Sequence, residues 1–193
     1  AFGYIALALP IDLLAAARQL GPAGSIRPAT YETLFGLMAS AGLRVSEALH
    51  LRDADVDLKR GLLTIRQTKF AKSRLLPVHP TTVIALAKYR KTRARHVATV
   101  ADMPFLISSR GRRIGMPLGD RQAHRVFNAL RDQLGWTNRG SHAAIRLHDL
   151  RHTFVVRRLM RWHAGGTDID QMMLALFFND AAANVFYTYW YLT

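Results

Sequence analysis

Five side chains of types that could act together on a phosphodiester are spread along the chain. They are Arg44, Lys69, His148, Arg151 and Tyr191. Guanidinium groups donate paired hydrogen bonds to phosphate oxygens and keep their charge at any working pH. Lysine and histidine side chains can transfer protons, and a phenol can act as a nucleophile. Each type is also common for structural reasons alone, so the interpretation depends on the segments that carry these residues.

Four short segments contain these residues in a fixed order. Residues 41–49 read AGLRVSEAL, with an arginine just beyond a glycine suited to end a helix. Residues 61–77 read as two strands around a polar loop that carries a lysine. Residues 147–154 read LHDLRHTF, and residues 188–193 close the chain as TYWYLT. Singly these segments mean little, but together they form a pattern.

This pattern resembles the tyrosine recombinases of the phage integrase type, over nearly the whole chain from about Leu14. The segments resemble, in order, the first arginine box, the β-hairpin with the catalytic lysine, the His-x-x-Arg box and the nucleophile segment of that family. The resemblance implies a mainly α fold with a small antiparallel β-sheet (α+β). It also implies a site-specific DNA recombinase or integrase that breaks and rejoins strands through a 3′-phosphotyrosyl intermediate, without metal or other cofactor.

Carried over position by position, the resemblance implies a role for each of the five residues. Arg44 and Arg151 would grip the scissile phosphate, whose oxygens gain charge as the phosphorus is attacked. Lys69 and His148 would transfer protons, and Tyr191 would be the nucleophile. The covalent link retains the bond energy, so rejoining needs no ATP.

The polar hairpin loop offers two lysines and further candidate DNA contacts. Lys72 is the local rival of Lys69, and counting back from the RLLP of residues 74–77 against the family hairpin selects Lys69. Thr68, Lys72 and Arg74 are candidate contacts to the DNA backbone.

The other assignments also have structural alternatives. Arg44 could bind carbonyl groups at a helix end or pair with Glu47, which could buttress it. His148 and His152 stand four residues apart, the spacing of a zinc pair, but the metalloprotease glutamate and a third ligand are missing, so we expect no metal. Tyr189 is the second candidate for the nucleophile.

The segment before the nucleophile departs from the family pattern. Family members usually carry Leu-Gly-His nine residues before the tyrosine, where this chain has Asp180, Ala181 and Ala182. Losing one donor to the transition-state oxygens costs on the order of 3 kcal/mol, so Ala182 predicts weakened activity. The alternatives are a DNA-binding protein of the same fold without activity, a type IB topoisomerase-like enzyme and a basic RNA-binding protein.

Charge and composition indicate the class of partner. The chain has 27 Lys and Arg against 13 Asp and Glu, a formal net charge of +14, which favours nucleic acid over a merely basic soluble protein. There is no cysteine, which excludes disulfides and thiolate metal sites and agrees with a reducing cytoplasm. The apolar run Ala1–Leu9 lacks a basic flank and is too short to span a bilayer, so we expect no membrane association.

Length and the resemblance together predict one catalytic domain over residues 1–193. We expect an N-terminal core-binding domain and a C-terminal tail to lie outside it. The resemblance further implies duplex DNA as partner and a homo-oligomer, a tetramer, on that DNA. It implies a bacterial or phage-derived cytoplasmic protein associated with the nucleoid.

Periodicity and breakers predict the elements that would position these residues. The predicted strands are Gly61–Gln67, Arg74–Val78 at a sheet edge because of Pro77, and Phe105–Ser108. The predicted helices are Ile11–Leu20, Pro28 to a left-handed Gly42, Ser46–Leu51, Pro80–Val97, Asp120 to a stop at Gly135, His148–His163 and Asp168–Phe178. The basic residues of the Pro80–Val97 helix are expected to form a solvated face; they are Lys88, Arg90, Lys91, Arg93 and Arg95.

Overall fold

A computed structural model describes residues 2–66, 73–100, 102–109, 111–136, 144–166 and 168, with side chains from Pro10 onward. Its helices are α1 (Phe2–Arg18), α2 (Arg27–Ala41), α3 (Val45–Leu49), α4 (Pro80–Ala94), α5 (Asp120–Gln133) and α6 (Asp149–Ala164). Two 3-10 turns cover Asp53–Asp55 and Gly111–Arg113. The predicted helix Asp168–Phe178 lies largely outside the described residues.

The predicted fold class is confirmed, because the described residues form mainly helices together with one small antiparallel sheet. Its strands are β1 (Val56–Asp57), β2 (Leu62–Ile65) and β3 (Arg74–Pro77), in the order β1-β2-β3. The register pairs Leu62 with Pro77 and Ile65 with Arg74. The prediction that Pro77 lies on an edge strand is therefore correct, and β1 is an additional short strand that the periodicity did not indicate.

Helix α2 lies at the centre of the molecule and contacts α1, α3, α4 and α6. Most of its apolar residues are buried, including the predicted stripe of Tyr31, Leu34, Met38 and Ala41. The helix ends at Gly42, whose φ of 65° lies in the left-handed region that glycine adopts most easily. This stop turns the chain directly into the segment that carries Arg44.

The start of the first helix was predicted wrongly. The helix begins at Phe2 instead of Ile11, and Pro10 lies within it. Alanine and leucine are strong helix formers, and the run before Pro10 is rich in both, so the proline does not mark the beginning of the helix. No helix in the described part of the chain is both long and apolar enough to cross a bilayer.

The predicted strand Phe105–Ser108 is also wrong. This segment forms only isolated bridges, in which Arg52 pairs with Pro104 and Ile107 with Pro117. The three residues Phe105, Leu106 and Ile107 are all fully buried. The Ile107 amide donates to the Tyr89 hydroxyl at 3.1 Å, so helix α4 satisfies a backbone group that a neighbouring strand would otherwise bind.

The expectation of a solvated basic face on α4 is wrong for two of its residues. Arg93 has no exposed surface and donates to the carbonyls of Pro104 and Phe105 and to Asp53. Arg90 is half-buried and binds the same aspartate and the Val56 carbonyl. These guanidinium groups are structural because they pair with a buried loop instead of water, whereas Lys88, Lys91 and Arg95 are exposed.

Candidate active site

Arg44 lies at the junction of two helices, as the sequence predicts. It is the N-cap residue of α3, with an extended backbone at φ −67° and ψ 150°. Its backbone amide donates to Glu47 Oε2 at 3.0 Å and its side-chain Nη1 donates to Oε1 at 3.1 Å. The acidic residue thus closes the first turn of α3 as in a capping box and also holds the arginine side chain. That side chain retains 25% of its surface exposed.

Glu47 also binds a second arginine, Arg74, the first residue of strand β3. Arg74 Nη1 donates to Oε1 and Nη2 donates to Oε2, each at 2.9 Å. Only 6% of the Glu47 side chain and 9% of the Arg74 side chain are exposed. Burial raises the pKa of the Glu47 carboxyl, but hydrogen bonds and charge from Arg74 and Arg44 outweigh burial and lower this pKa. Glu47 therefore carries a negative charge between two guanidinium groups.

Arg151, the second predicted phosphate ligand, comes from the first turn of α6 and is buried. Its Nη1 donates to the carbonyl oxygen of Gly42, two residues before Arg44. The ring of Phe154, one turn further along α6, lies against the same glycine, where an added Cβ would approach it to 2.4 Å. The beginning of α6 thus packs against the left-handed C-terminus of α2, and the two arginine segments are in contact.

His148 is the N-cap residue of α6 and is exposed. Its ring meets the His152 ring edge to face, with centroids 4.9 Å apart. Desolvation and then the positive charges of His152 and Arg151 lower the pKa of His148, with a smaller opposing effect from Asp149. The ring is accordingly neutral at pH 7 and has a nitrogen able to accept a proton.

Asp149 organises the beginning of α6 around these histidines. Its Oδ2 accepts a hydrogen bond from the backbone amide of Arg146 at 2.7 Å, and its Oδ1 lies 3.9 Å from His152 Nε2. Among the described residues no group of three or more histidine, cysteine or acidic side chains could hold a metal ion. The chemistry available to the described part of the site is phosphate binding by arginine and proton transfer by histidine.

The remaining predicted site residues divide into two groups. Lys69, Thr68, Lys72 and Tyr191 lie outside the described residues, as do Tyr189 and Ala182. Arg74, predicted to contact the DNA backbone, is described, and its guanidinium is directed at Glu47. That predicted DNA contact stays a prediction.

Two relationships in the site were missed by the sequence reasoning. The ion pair between Arg74 and Glu47 spans 27 positions and has no periodic signal, although the glutamate in the first arginine segment was recognised as a structural residue. The contact of Phe154 with Gly42 joins two segments that the sequence motifs treat separately. In both cases tertiary packing pairs residues that are each visible in a motif.

The chain is similar in sequence to known proteins. Residues 12–174 match the sequence model of the phage integrase family. A curated protein of Sinorhizobium fredii named "Putative integrase/recombinase y4rB" is 41% identical over 168 residues, which cover 87% of this chain and 52% of that protein. Tyrosine recombinase XerC of Thermodesulfovibrio yellowstonii is 34% identical over 133 residues, covering 67% of this chain and 41% of the relative.

Solved structures share the fold. The crystal structure of XerA recombinase matches with a TM-score of 0.63 at 24% identity, covering 95% of this chain and 56% of that chain. The Tn1549 transposon integrase in complex with transposon right end DNA matches with a TM-score of 0.62 at 16% identity, covering 95% of this chain and 62% of that one. The chain spans about half the length of the curated relatives that it matches.

Proposed function

The chain belongs to the phage integrase family, and on this premise we propose that it is the catalytic domain of a site-specific DNA recombinase. It breaks and rejoins DNA strands through a 3′-phosphotyrosyl intermediate. The observation that supports this most directly is the hydrogen bond from Arg151 to the Gly42 carbonyl, because it brings the second arginine beside the segment of the first. Two guanidinium groups in one site suit a phosphodiester whose oxygens gain charge during attack.

In the proposed cleavage step the phenol oxygen of Tyr191 attacks the scissile phosphorus. A bond forms between this oxygen and phosphorus while the bond from phosphorus to the 5′ oxygen breaks. The phenol proton passes to the neutral ring of His148, and the departing 5′ oxygen takes a proton from Lys69. Rejoining reverses these transfers with a 5′ hydroxyl as nucleophile, so no nucleotide is consumed.

Arg44 and Arg151 hold the non-bridging oxygens throughout these steps. Their charge is independent of pH in the working range, which leaves His148 and Lys69 as the groups that change protonation. The lowered pKa of His148 suits a proton acceptor, because its neutral form is then present at and below neutral pH. The proposed reaction requires no metal.

The proposed partner is duplex DNA, and the similar Tn1549 transposon integrase was solved in complex with DNA. The net charge of +14 supports this, since phosphate neutralisation drives binding. A homotetramer on DNA would bring four such sites together for strand exchange, and a cytoplasmic location near the nucleoid would follow from the substrate. A type IB topoisomerase-like activity would need only one protomer.

The second candidate is a DNA-binding protein of the same fold without catalytic activity. The observation that favours it is Ala182, which stands where the family usually has a histidine or tryptophan donor to the phosphate. Both candidates predict DNA binding that weakens with salt. They differ only in whether a covalent bond to DNA can form.

Covalent trapping on nicked duplexes decides between these candidates. The probe is a pool of suicide duplexes with a randomised sequence, from which denaturation-resistant adducts are recovered and sequenced. We expect adducts with the unsubstituted chain and with Tyr189→Phe, but none with Tyr191→Phe. Adducts that persist in Tyr191→Phe would overturn the assignment of the nucleophile. Salt-sensitive DNA binding without any adduct would favour the inactive protein.

A further inference from the structure

We infer that Arg74 is a positioning residue that acts on the phosphate ligand Arg44 through Glu47. The inference rests on the proposed function and assigns Arg74 a role other than contact with the DNA backbone. It follows from the contacts of the Glu47 carboxylate, which joins the start of strand β3 to the N-cap of α3.

The guanidinium of Arg74 is poorly placed to meet a DNA phosphate. Both of its terminal nitrogens donate to Glu47, and 9% of the side chain is exposed. Its Nε is buried too and has no hydrogen-bond partner among the described residues. Because so little of the side chain is exposed, a phosphate contact would require the guanidinium to move outward, away from Glu47. That movement is costly because the buried carboxylate would lose two of its four donors.

The four hydrogen bonds to Glu47 use the acceptor capacity of its carboxylate. Oε1 accepts from Nη1 of Arg44 and Nη1 of Arg74, while Oε2 accepts from the Arg44 amide and Nη2 of Arg74. A carboxylate has about four acceptor positions, so Glu47 is saturated and its orientation is set from two sides. Of these four hydrogen bonds, one comes from the Arg44 side chain.

The donors bound to Glu47 determine how many hydrogen bonds Arg44 can make to a substrate instead of to this carboxylate. Without the Arg74 fork, Glu47 has two open acceptor positions beside the guanidinium of Arg44. Arginine and carboxylate prefer a bidentate arrangement, so Glu47 would then take a second donor from Arg44 and compete with the scissile phosphate. Arg74 prevents this competition by occupying the carboxylate.

The ion pair of Arg74 and Glu47 also joins strand β3 to the segment that carries Arg44. Arg74 pairs with Ile65 across the sheet and is the first residue of β3. Its fork therefore fixes the start of the returning strand relative to Arg44. A change at this one position is expected to disturb the orientation of Arg44 without removing a contact to DNA.

The test uses the full chain and a nicked suicide duplex selected from the randomised pool. The variants are Arg74→Lys, Arg74→Met and the double variant Glu47→Gln with Arg74→Met. The control is Arg60→Lys, an arginine in the turn between β1 and β2 whose side chain is 79% exposed. The measurements are the single-turnover rate of adduct formation at saturating DNA, the DNA affinity and its salt dependence, and thermal unfolding.

We expect Arg74→Lys to slow adduct formation by on the order of a hundredfold, because a lysine cannot bind both carboxylate oxygens as a fork. DNA affinity and its salt dependence should match those of Arg60→Lys and of the unsubstituted chain. Arg74→Met should be slower still. The double variant should react faster than Arg74→Met, because the neutral amide introduced by Glu47→Gln competes less for Arg44.

Other results would overturn the inference. If Arg74→Lys keeps the rate while Arg74→Met loses affinity and about one unit of salt slope, Arg74 is a DNA contact. If neither single variant folds and the double variant shows no recovery of rate or folding, Arg74 serves the fold alone. If the unsubstituted chain and Arg60→Lys form no adduct, the proposed function fails and this inference with it.

Discussion

The guanidinium of Arg151 donates a hydrogen bond to the carbonyl oxygen of Gly42 across 109 positions of sequence. This carbonyl lies at the end of α2, where the chain leaves the helix and its backbone acceptors no longer have helical partners. A buried arginine therefore satisfies a helix end and is fixed by it. Because Arg44 follows two residues later, the orientation of one proposed phosphate ligand depends on the packing of the other.

Gly42→Ala should destabilise the protein through both backbone and packing. The φ of 65° costs an alanine about 1 kcal/mol or more, and the new Cβ would overlap the Phe154 ring at a further cost of about 1–3 kcal/mol. Urea denaturation of Gly42→Ala and Gly135→Ala separates the two effects. Gly135 has a φ of 67° with nothing within 4 Å of an added Cβ, so it should lose only the backbone contribution. Equal losses of unfolding free energy in the two variants would contradict the packing of α6 against Gly42.

Arg151→Lys should reduce the rate of adduct formation by roughly a hundredfold to a thousandfold, as for loss of a donor to the transition state. Lysine retains the charge but not the fork that can bind the Gly42 carbonyl and a phosphate oxygen together. The assay is single-turnover trapping on the nicked suicide duplex, with the exposed Arg60→Lys as matched control. A rate equal to that of the control would exclude Arg151 from the phosphate site.

In the pH profile of adduct formation, the rate should fall below pH 6.5, and the pH of this acidic limb should depend on His152. The proposed base is neutral His148, whose pKa is lowered from 6.5 by desolvation and by the charges of His152, Arg151 and Arg146, while Asp149 opposes them. The rate is therefore full above this lowered pKa and falls as the pH drops through it. His152→Gln removes one of the contributions that lower the pKa of His148, so this substitution should move the fall in rate to higher pH.

The measurement is the pH profile of adduct formation for His152→Gln and for His163→Gln. His163 is an exposed residue near the end of the same helix and serves as the control. We expect the limb of His163→Gln to coincide with that of the unsubstituted chain. An unshifted limb in His152→Gln would mean that another group controls the acidic side of the profile.

Arg93→Met should destabilise the fold by about 3–5 kcal/mol, because it removes one partner from a buried ion pair. The carbonyls of Pro104 and Phe105 would lose the Arg93 donor, and the Asp53 carboxylate would lose one of its two arginine partners. Lys91→Met, on the exposed side of α4, should leave the free energy of unfolding nearly unchanged. Similar denaturation midpoints for the two variants would mean that Arg93 is solvated, as the sequence predicted.

Much of the fold could be predicted because local signals and packing agree. The stripe of α2 has a helical period, and Gly42 supplies the left-handed stop that its position requires. The strand Arg74–Pro77 begins where predicted, and its proline lies at a sheet edge where no ladder hydrogen bond is lost. The segment 105–108 misled the prediction because three consecutive buried apolar residues suit a strand, a buried helix or an irregular core segment equally well.

The sequence by itself determined the residue types, their order along the chain and the family to which these patterns belong, since the motifs are local and each lies within a few positions. Only the tertiary structure decided which acceptor each arginine binds. It buries Arg74 on Glu47 and Arg93 on Asp53, and it seats Arg151 on the Gly42 carbonyl. The sequence around an arginine does not show whether its N–H groups donate to water, a phosphate or a carboxylate. The packing of distant segments selects that partner.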